Sequence, residues 1–247
     1  MINVIIPMAG YGRRFDEKGY TIPKPLIDVN GEPMFIHTIK NLLVNCSEQT
    51  KKKLTFHIGI RQDFYESFHD EFHNAIAPYK NIKFYLLAPT QGQADTIYQI
   101  IESMTYDYSM LDPVIIRNCD DLLLDEMWAE NAIKYWAKQG CGGGITVFTN
   151  THPKWSYAAI ADGRILYCAE KRVISNFATF GCYYFRNAHI CSQAIHEMKQ
   201  RGDTYNNEYY ISQAYNYIKG DILPYFVNNV QGIGTPEDLE MYLATKN

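Results

Sequence analysis

The chain has 247 residues, of which 47% are hydrophobic and 20% charged, and its formal net charge is −4. This composition indicates a globular protein with one large core, and the negative charge balance argues against nucleic acid as a partner. No apolar run reaches the length of a membrane span and no basic leader with a cleavage site opens the sequence, so we expect a cytoplasmic protein without membrane association.

Strands and helices are predicted to alternate over the first 150 residues. Short apolar runs predict strands at 4–6, 54–60, 82–87, 114–117 and 145–148, and apolar residues at helical spacing predict helices at 33–44, 64–77, 93–104 and 126–138. This alternation predicts an α/β fold with a mixed, mainly parallel central sheet flanked by helices. Because ligands bind beyond the carboxyl ends of strands in such sheets, the loops at Gly10, Thr90 and Asp120 should share one rim.

The pattern changes from about Thr151. Strands are predicted at 157–160 and 165–169, around the hairpin signal Asp162-Gly163, and again at 179–185 and 222–227. Helices are predicted at 188–201 and 208–219, and a last helix begins at Pro236. No Pro- or Ser-rich linker interrupts the chain, so we expect one domain covering 1–247, with halves at 1–150 and 151–247.

A glycine loop follows the first predicted strand. Met8-Ala9-Gly10-Tyr11-Gly12 is followed at once by Arg13 and Arg14, and Lys24 stands between two prolines. Glycine lets backbone N–H groups approach an anion, Arg offers a planar fork for phosphate oxygens, and Lys offers a point charge. The loop lacks the Gly-Lys-Ser/Thr of a Walker A motif and the third glycine of the dinucleotide fingerprint. These residues alone leave an anion site and a simple surface turn equally open.

The loop and the PKPL segment after it resemble the signature of the nucleotidylyltransferases that activate sugar phosphates, A-G-x-G-[ST]-R-[LMF] followed by P-K-x-L. Gly10, Gly12, Arg14 and Lys24 fall on matching positions, and Arg13 replaces the usual Ser or Thr. The continuation GYTIPKPLIDVNGEPM is similar to a branch found among surface-polysaccharide (capsule) biosynthesis enzymes. The resemblance implies a Rossmann-like nucleotidyltransferase (GT-A-like) fold, with transfer of a nucleoside monophosphate from a nucleoside triphosphate to a phosphorylated acceptor and release of pyrophosphate. The acceptor would be a sugar 1-phosphate or a small phosphorylated metabolite.

The resemblance also implies roles for residues in both halves. In the nucleotide-binding half, 1–150, the residues expected to contact the nucleotide are Met8, Ala9, Gly10, Gly12, Gly92 and Ala94. Arg14 and Lys24 would balance charge on the triphosphate. In the acceptor-binding half, 151–247, Lys171 would meet the acceptor phosphate, and the acceptor itself would contact Glu170, Asn176 and Gly181.

The resemblance specifies the metal ligands and the nucleotide base less completely. Asp120 follows a central strand and resembles the family's Mg²⁺ ligand, whereas Asp121 is interpreted as a helix cap or a solvated acid. Gly232 stands where relatives carry a second metal-binding Asp, so the metal would rest on Asp120, phosphates and water, or on another acid such as Glu208. Leu87 stands where some relatives carry a base-reading Gln. The base stays open, with CTP favoured over dTTP from the branch resemblance.

Two other functions and one property stay open. A nucleotide-sugar-dependent glycosyltransferase of the GT-A type shares the architecture, although it would carry Asp-x-Asp rather than Cys119-Asp120-Asp121. A catalytically inactive nucleotide-binding protein is suggested by Gly232. Homo-oligomerisation is likewise left open by the sequence.

Overall fold

The computed structural model of the protein describes residues 1–104 and 108–245. The strands are β1 (Ile2–Met8), β2 (Asp28–Val29), β3 (Glu32–Pro33), β4 (Leu54–Arg61), β5 (Ile82–Leu87), β6 (Val114–Arg117), β7 (Asp121–Leu123), β8 (Gly143–Thr149), β9 (Tyr157–Ala161), β10 (Arg164–Ala169), β11 (Phe177–Phe185), β12 (Ile222–Phe226) and β13 (Val230–Gly232). The helices are α1 (Arg13–Asp16), α2 (Met34–Val44), α3 (Glu48–Lys51), α4 (Gln62–Ser67), α5 (His69–Ile76), α6 (Gln93–Met104), α7 (Trp128–Gln139), α8 (Ala188–Gln200), α9 (Ile211–Ala214) and α10 (Pro236–Ala244). No described helix is both long and apolar enough to cross a membrane.

The central sheet runs in the order β10-β9-β11-β6-β1-β4-β5, with β8 paired to β11 and β12 paired to β8. β1 lies parallel to both β4 and β6, and β4 lies parallel to β5, as the strand–helix alternation predicts. β11 runs antiparallel to β6 and so attaches strands of the second half to the same sheet. The predicted α/β class, a mixed and mainly parallel sheet flanked by helices, is confirmed.

The central strand β1 is buried on both faces. Val4 and Ile6 pack in one apolar cluster with α2, whereas Ile5 packs in the opposite cluster with α6. This is the period of two expected of a strand that is covered by helices on each side. Because both faces of β1 are packed, its carboxyl end is held in place, and the glycine loop begins from that fixed position.

The helix predicted at 208–219 is wrong. Asn206 and Asn207 have φ of 50° and 61°, and Tyr205 and Glu208 pair as an isolated bridge, so a tight turn replaces the start of that helix. Asn tolerates the left-handed region better than most residues, which explains the turn. Only α9 and a short 3-10 turn at Tyr215–Tyr217 are helical there.

Other differences concern the ends of elements. The helix predicted at 64–77 is divided at Phe68 (φ −130°, ψ 35°) into α4 and α5. The helix predicted from 126 begins later, because Met127 has a left-handed φ of 54°. The hairpin at Asp162-Gly163 is confirmed, with φ of 50° and 72°.

His57 on β4 gives the fold a measurable dependence on pH. The ring is fully buried, Nε2 donates to Asn3 Oδ1 (3.0 Å) and the Tyr85 hydroxyl donates to Nδ1 (2.9 Å), so the neutral ring fits the site. Burial, with a smaller effect of the Lys83 charge, lowers the pKa of His57 to about 4. Because the unfolded chain binds this proton near pH 6.5, the folded state should lose stability as the pH falls from about 6.5 towards 4, by up to about 3 kcal/mol.

Urea unfolding at pH 7 and pH 4.5 checks this expectation. The loss of unfolding free energy between the two pH values should be smaller in His57→Gln than in the wild type, since Gln does not titrate. An equal loss in both proteins would show that His57 does not contribute.

Candidate active site

A cavity of about 630 Å³ lies beyond the carboxyl ends of β1 and β6. The glycine loop, the segment before α6 and the segment 118–121 all line it, so the predicted shared rim at Gly10, Thr90 and Asp120 is confirmed. The second half closes the other side of the cavity with Lys154, Trp155, Ser156, Glu170, Lys171, Glu208, Tyr210 and Asp238. Two halves of the chain therefore meet at one site.

Most of the predicted site residues reach this cavity. Those that line it are Met8, Gly10, Gly12, Arg14, Lys24, Gly92, Asp120, Glu170, Lys171 and Gly181. Ala9 and Ala94 are buried behind the lining, and the Ala94 N–H donates to the Tyr209 carbonyl (2.9 Å). Asn176 is exposed and lies outside the cavity lining.

The glycine loop is held by a stack of aromatic and cationic groups. The Arg61 guanidinium carbon, at the end of β4, lies 4.1 Å from the centroid of the Tyr11 ring and 4.2 Å from that of Phe64. Arg61 Nε also donates to Asp63 Oδ1 at 2.9 Å, which fixes the guanidinium plane. Stacking of Arg on aromatic faces is favourable, so Arg61 positions the loop through Tyr11. The sequence carried no signal for this contact, which joins residues fifty positions apart.

Lys24 and Asp120 form an ion pair on the cavity wall through Lys24 Nζ and Asp120 Oδ2. Burial lowers the pKa of Lys24, but the charge of Asp120, the neighbouring Cys119 and the hydrogen bond to Asp120 together raise that pKa above its ordinary value. Arg14 is exposed on the same wall and forms no ion pair with any residue in 1–104 or 108–245. With Arg13, which also lines the cavity, the glycine-loop side offers three cations, and Arg14 has no competing anion among the described residues.

Asp121 is neither a helix cap nor a solvated acid, which corrects the sequence interpretation. It is buried on β7, with Oδ1 2.9 Å from Arg117 Nη2, and Arg117 Nη1 donates to the Gly181 carbonyl at 2.8 Å. Burial raises the pKa of Asp121 and the Asp120 charge adds to that, while Arg117 opposes both. Asp121 therefore lines the cavity as one half of a buried ion pair with Arg117.

Gly181 is required by the Asp121 carboxylate. Its φ is 39°, and a Cβ at this position would lie 1.6 Å from Asp121 Oδ2. Gly181→Ala should therefore lower the free energy of unfolding by about 2–4 kcal/mol, from backbone strain and overpacking together. Gly163→Ala is the matched control, because φ is 72° there and no atom lies within 4 Å of the added Cβ. Chemical denaturation measures both, and equal losses would contradict the role of Asp121.

The space beside Gly232 is filled by other side chains. A Cβ at Gly232 would lie 3.3 Å from Trp155 Cη2 and 3.7 Å from Asp238 Oδ2. Gly232 pairs with Asp121 in the β13–β7 ladder, so the position does lie beside the Asp120 segment. Asp238 in turn accepts two contacts from Lys154 Nζ, at 2.9 and 3.1 Å. An added Cβ at 232 would therefore require a small shift of the Trp155 indole.

A divalent cation fits the Asp120 side of the cavity. Asp120 supplies a hard carboxylate oxygen, and Gly234 lacks the Cβ that would lie 2.4 Å from Asp120 Oδ2. The described residues contain no group of three or more His, Cys, Asp or Glu that could hold a metal ion. Mg²⁺ needs no such group, since it is often bound through one or two carboxylates together with substrate phosphates and water.

Glu170 is held from within the second half. The Ser212 hydroxyl donates to Glu170 Oε2 at 2.9 Å, and the Ser156 hydroxyl donates to the same oxygen. Burial raises the pKa of Glu170, whereas the two serines and Lys171 act in the opposite direction. These serines are 14 and 42 residues away in sequence and no motif marks them, which is why sequence reasoning missed them.

Gly92 joins the two sides of the cavity. Its φ is 101°, and a Cβ there would lie 2.7 Å from Tyr209 N and 3.1 Å from the Glu208 Cβ. Tyr209 N also donates to the Gln91 carbonyl at 3.0 Å. A glycine at this position therefore lets the segment around Tyr209 dock on the loop before α6.

The profile of the nucleotidyl transferase family matches residues 3–227 of the sequence. The chain belongs to the nucleotidyl transferase family. It is therefore a nucleotidyltransferase enzyme, which confirms the family-level resemblance of the glycine loop and PKPL segment. No curated protein sequence matches the chain significantly.

Solved structures, two pyrophosphorylases among them, share the fold of this nucleotidyltransferase. A nucleoside-diphosphate-sugar pyrophosphorylase from Vibrio cholerae RC9 is 21% identical, with a TM-score of 0.80 and coverage of 98% of this chain and 99% of that chain. A UDP-glucose pyrophosphorylase complexed with UDP-glucose is 16% identical, with a TM-score of 0.75 and coverage of 100% and 98%. HddC from Yersinia pseudotuberculosis is 15% identical, with a TM-score of 0.71 and coverage of 100% of both chains.

Some lining residues of the nucleotidyltransferase carry no sequence motif. Gln93 Nε2 donates to Asn118 Oδ1 at 2.5 Å, which bridges the start of α6 to the segment before Asp120. Leu87 is buried at the end of β5 and is not among the residues that line the cavity. Gln93 and Asn118 both line the cavity and supply it with side-chain amides.

Proposed function

We propose that the enzyme transfers a nucleoside monophosphate from a nucleoside triphosphate to a phosphorylated small molecule. An oxygen of the acceptor phosphate would attack the α-phosphorus in line, while the bond from that phosphorus to the bridging oxygen breaks and pyrophosphate leaves with the electron pair. The observation that carries this proposal is the single cavity, which is lined by Arg14 and Lys24 from one half and by Lys171 from the other. Two separate cationic positions suit two separate phosphates.

The residues act by positioning and by charge. The attacking phosphate oxygen is already an anion at neutral pH, so no strong general base is needed. Arg14 and Lys24 would balance charge on the transferring and leaving phosphates, and Lys171 would hold the acceptor phosphate. Met8, Gly10, Gly12 and Gly92 would border the nucleotide, with Glu170 and Gly181 on the acceptor side.

Nucleotidyltransferases of this family generally use divalent metal ions. We propose Mg²⁺ here, held by Asp120 with phosphate oxygens and water, and Asp238 is a second carboxylate on the same cavity. When bound, the ion would supply positive charge beside the phosphates. Within the chain, Lys24 would exchange its Asp120 contact for phosphate oxygens.

The finer substrate assignment rests on the sequence resemblance. CTP is the favoured nucleotide and dTTP the next, and the acceptor is a sugar 1-phosphate or a small phosphorylated metabolite. The product would be an activated unit for capsule or other surface-polysaccharide biosynthesis. In this proposal residues 1–150 bind the nucleotide and 151–247 bind the acceptor, within one domain.

A matrix of nucleoside triphosphates against phosphorylated acceptors, read by pyrophosphate release with Mg²⁺, tests the proposal. We expect release that depends on both substrates and is fastest with CTP. Transfer from a nucleotide sugar without any pyrophosphate would favour a glycosyltransferase. Nucleotide binding with no turnover over the whole panel would favour an inactive binding protein.

A further inference from the structure

The ammonium group of Lys171 rests on two tyrosine rings. Lys171 Nζ lies 4.8 Å from the ring centroid of Tyr210 and 5.5 Å from that of Tyr205, and it donates to the Tyr210 hydroxyl at 3.2 Å. These distances are those of cation–π contacts. Lys171 has a φ of 48°, a left-handed conformation that is uncommon outside glycine. The backbone thus takes an unusual form where the side chain enters this aromatic site.

The two rings are held beside a carboxylate by a tight turn. Tyr205 and Glu208 exchange two backbone hydrogen bonds of 3.0 Å across Asn206 and Asn207, whose positive φ values are those of the two central residues of a type I′ turn. The Tyr210 hydroxyl donates to Glu208 Oε2 at 2.9 Å. Burial and Glu208 both raise the pKa of Tyr210, which keeps this hydroxyl protonated. We call Tyr205, Glu208 and Tyr210 the tyrosine cage.

Two carboxylates and two cations act at the cage. Glu170 Oε1 lies 3.9 Å from Lys171 Nζ, and the charge of Glu208 raises the pKa of Glu170, so the two carboxylates act on each other. Of the two cations, Lys171 contacts the tyrosine rings, whereas Arg14 acts on Tyr210 through its charge, which acts to lower the pKa of Tyr210. A phosphate that withdraws Lys171 from the cage would leave the tyrosine faces and Glu208 without a cation in contact. An acceptor that carries only negative charge would leave that loss uncompensated.

We infer that the acceptor carries an ammonium group as well as its phosphate, an inference that rests on the proposed function. The acceptor phosphate would draw Lys171 Nζ towards itself, and the ammonium of the acceptor would take its place against the tyrosine cage. Because the single Lys171 nitrogen would reach the phosphate by leaving the cage, within the length of its own side chain, the two acceptor groups would be only a few bonds apart. Phosphorylated amines and amino-sugar phosphates meet this requirement, whereas neutral sugar phosphates do not.

Isosteric acceptor pairs test the inference. With one nucleoside triphosphate, 2-aminoethyl phosphate is compared with 2-hydroxyethyl phosphate, and 2-amino-2-deoxyglucose 1-phosphate with glucose 1-phosphate. In at least one pair kcat/KM for pyrophosphate release should be about tenfold or more higher for the ammonium-bearing member, as expected for a partly desolvated cation–π and ion-pair contact. Ratios near one in both pairs, with release intact, overturn the inference and leave the proposed function standing.

Variants of the tyrosine cage test whether the preference for ammonium-bearing acceptors arises there. Glu208→Gln and Tyr205→Leu should each remove most of the ammonium preference, and Tyr210→Phe should keep part of it, since the ring remains but its hydrogen bond to Glu208 is lost. Tyr167→Leu is the matched control, because Tyr167 also faces a cation but that cation is Arg172, at 6.0 Å, rather than Lys171. A preference that survives both Glu208→Gln and Tyr205→Leu overturns the inference.

A binding measurement separates this inference from the reaction. Calorimetric titration of the protein with each acceptor pair needs no turnover. Tighter binding of the ammonium-bearing member supports the inference even if no acceptor gives pyrophosphate, a result that would contradict the proposed function alone. Equal binding within both pairs overturns the inference whether or not pyrophosphate is released.

Discussion

Lys24→Ala should lower kcat/KM for pyrophosphate release on the order of a hundredfold. The ammonium is held on the cavity wall by Asp120 and by the close approach of Gly12, where a Cβ would lie 3.1 Å from Lys24 Cβ. Loss of one preorganised charge at a phosphoryl-transfer site typically removes about 3 kcal/mol of transition-state stabilisation. The substitution also leaves the Asp120 carboxylate beside the phosphates without its partner. Steady-state kinetics with saturating Mg²⁺ measures the effect.

Lys18→Ala is the matched control for Lys24→Ala. Lys18 pairs with Glu237 at 3.2 Å, but both side chains are at least 60% exposed and neither lines the cavity. An exposed pair of this kind contributes little to stability, so the control should retain wild-type kinetics. Turnover of Lys24→Ala within a few-fold of the control would refute the assignment of Lys24 to the triphosphate.

The sequence predicted the fold and the glycine-loop side of the cavity because both depend on local signals. β5, β6 and α6 were predicted with the bounds that the structure has. Apolar period and loop composition act within a few residues, and the glycine loop and Lys24 lie within one short stretch. Once the strands are predicted to be parallel, the segments that lie beside the glycine loop can be predicted too, because the carboxyl ends of parallel strands meet at one edge of the sheet.

The acceptor side was harder to predict from the sequence because its contacts join segments that are far apart along the chain. The tyrosine cage depends on a turn at Asn206-Asn207, directly before the helix that apolar spacing wrongly predicts from Glu208. Asp121 looks like a surface acid until Arg117, four residues earlier, is found buried against it. Gly232 suggests a lost ligand, but the structure shows Trp155 in the adjoining space. Only the tertiary fold supplies these partners.

Asp120→Asn should reduce pyrophosphate release at least about a hundredfold and weaken metal binding in the presence of nucleotide. Asn keeps the shape of the side chain but removes the charge that pairs with Lys24 and suits a divalent cation. Because Lys24 and Asp120 are in direct contact, their effects should not add. The double variant with Lys24→Ala should therefore be less impaired than the product of the two single effects. Additive losses would mean that the pair does not act as a unit in catalysis.

Substitutions at two further aspartates, one of them a control, test how the metal is held. Asp112→Asn is the control, since Asp112 pairs with the N-terminus at 3.2 Å and does not line the cavity. Asp238→Asn tests the second carboxylate, which lies beside the position that Gly232 leaves without a side chain. Binding of Mn²⁺ with nucleotide, followed by electron paramagnetic resonance, should weaken in Asp120→Asn and stay unchanged in Asp112→Asn. If Asp238→Asn also weakens it, Asp238 replaces the missing ligand; if not, Asp120, phosphates and water hold the ion without it. Undiminished Mn²⁺ binding in Asp120→Asn would contradict the metal assignment itself, because no other described carboxylate has both the open Gly234 space and the Lys24 contact.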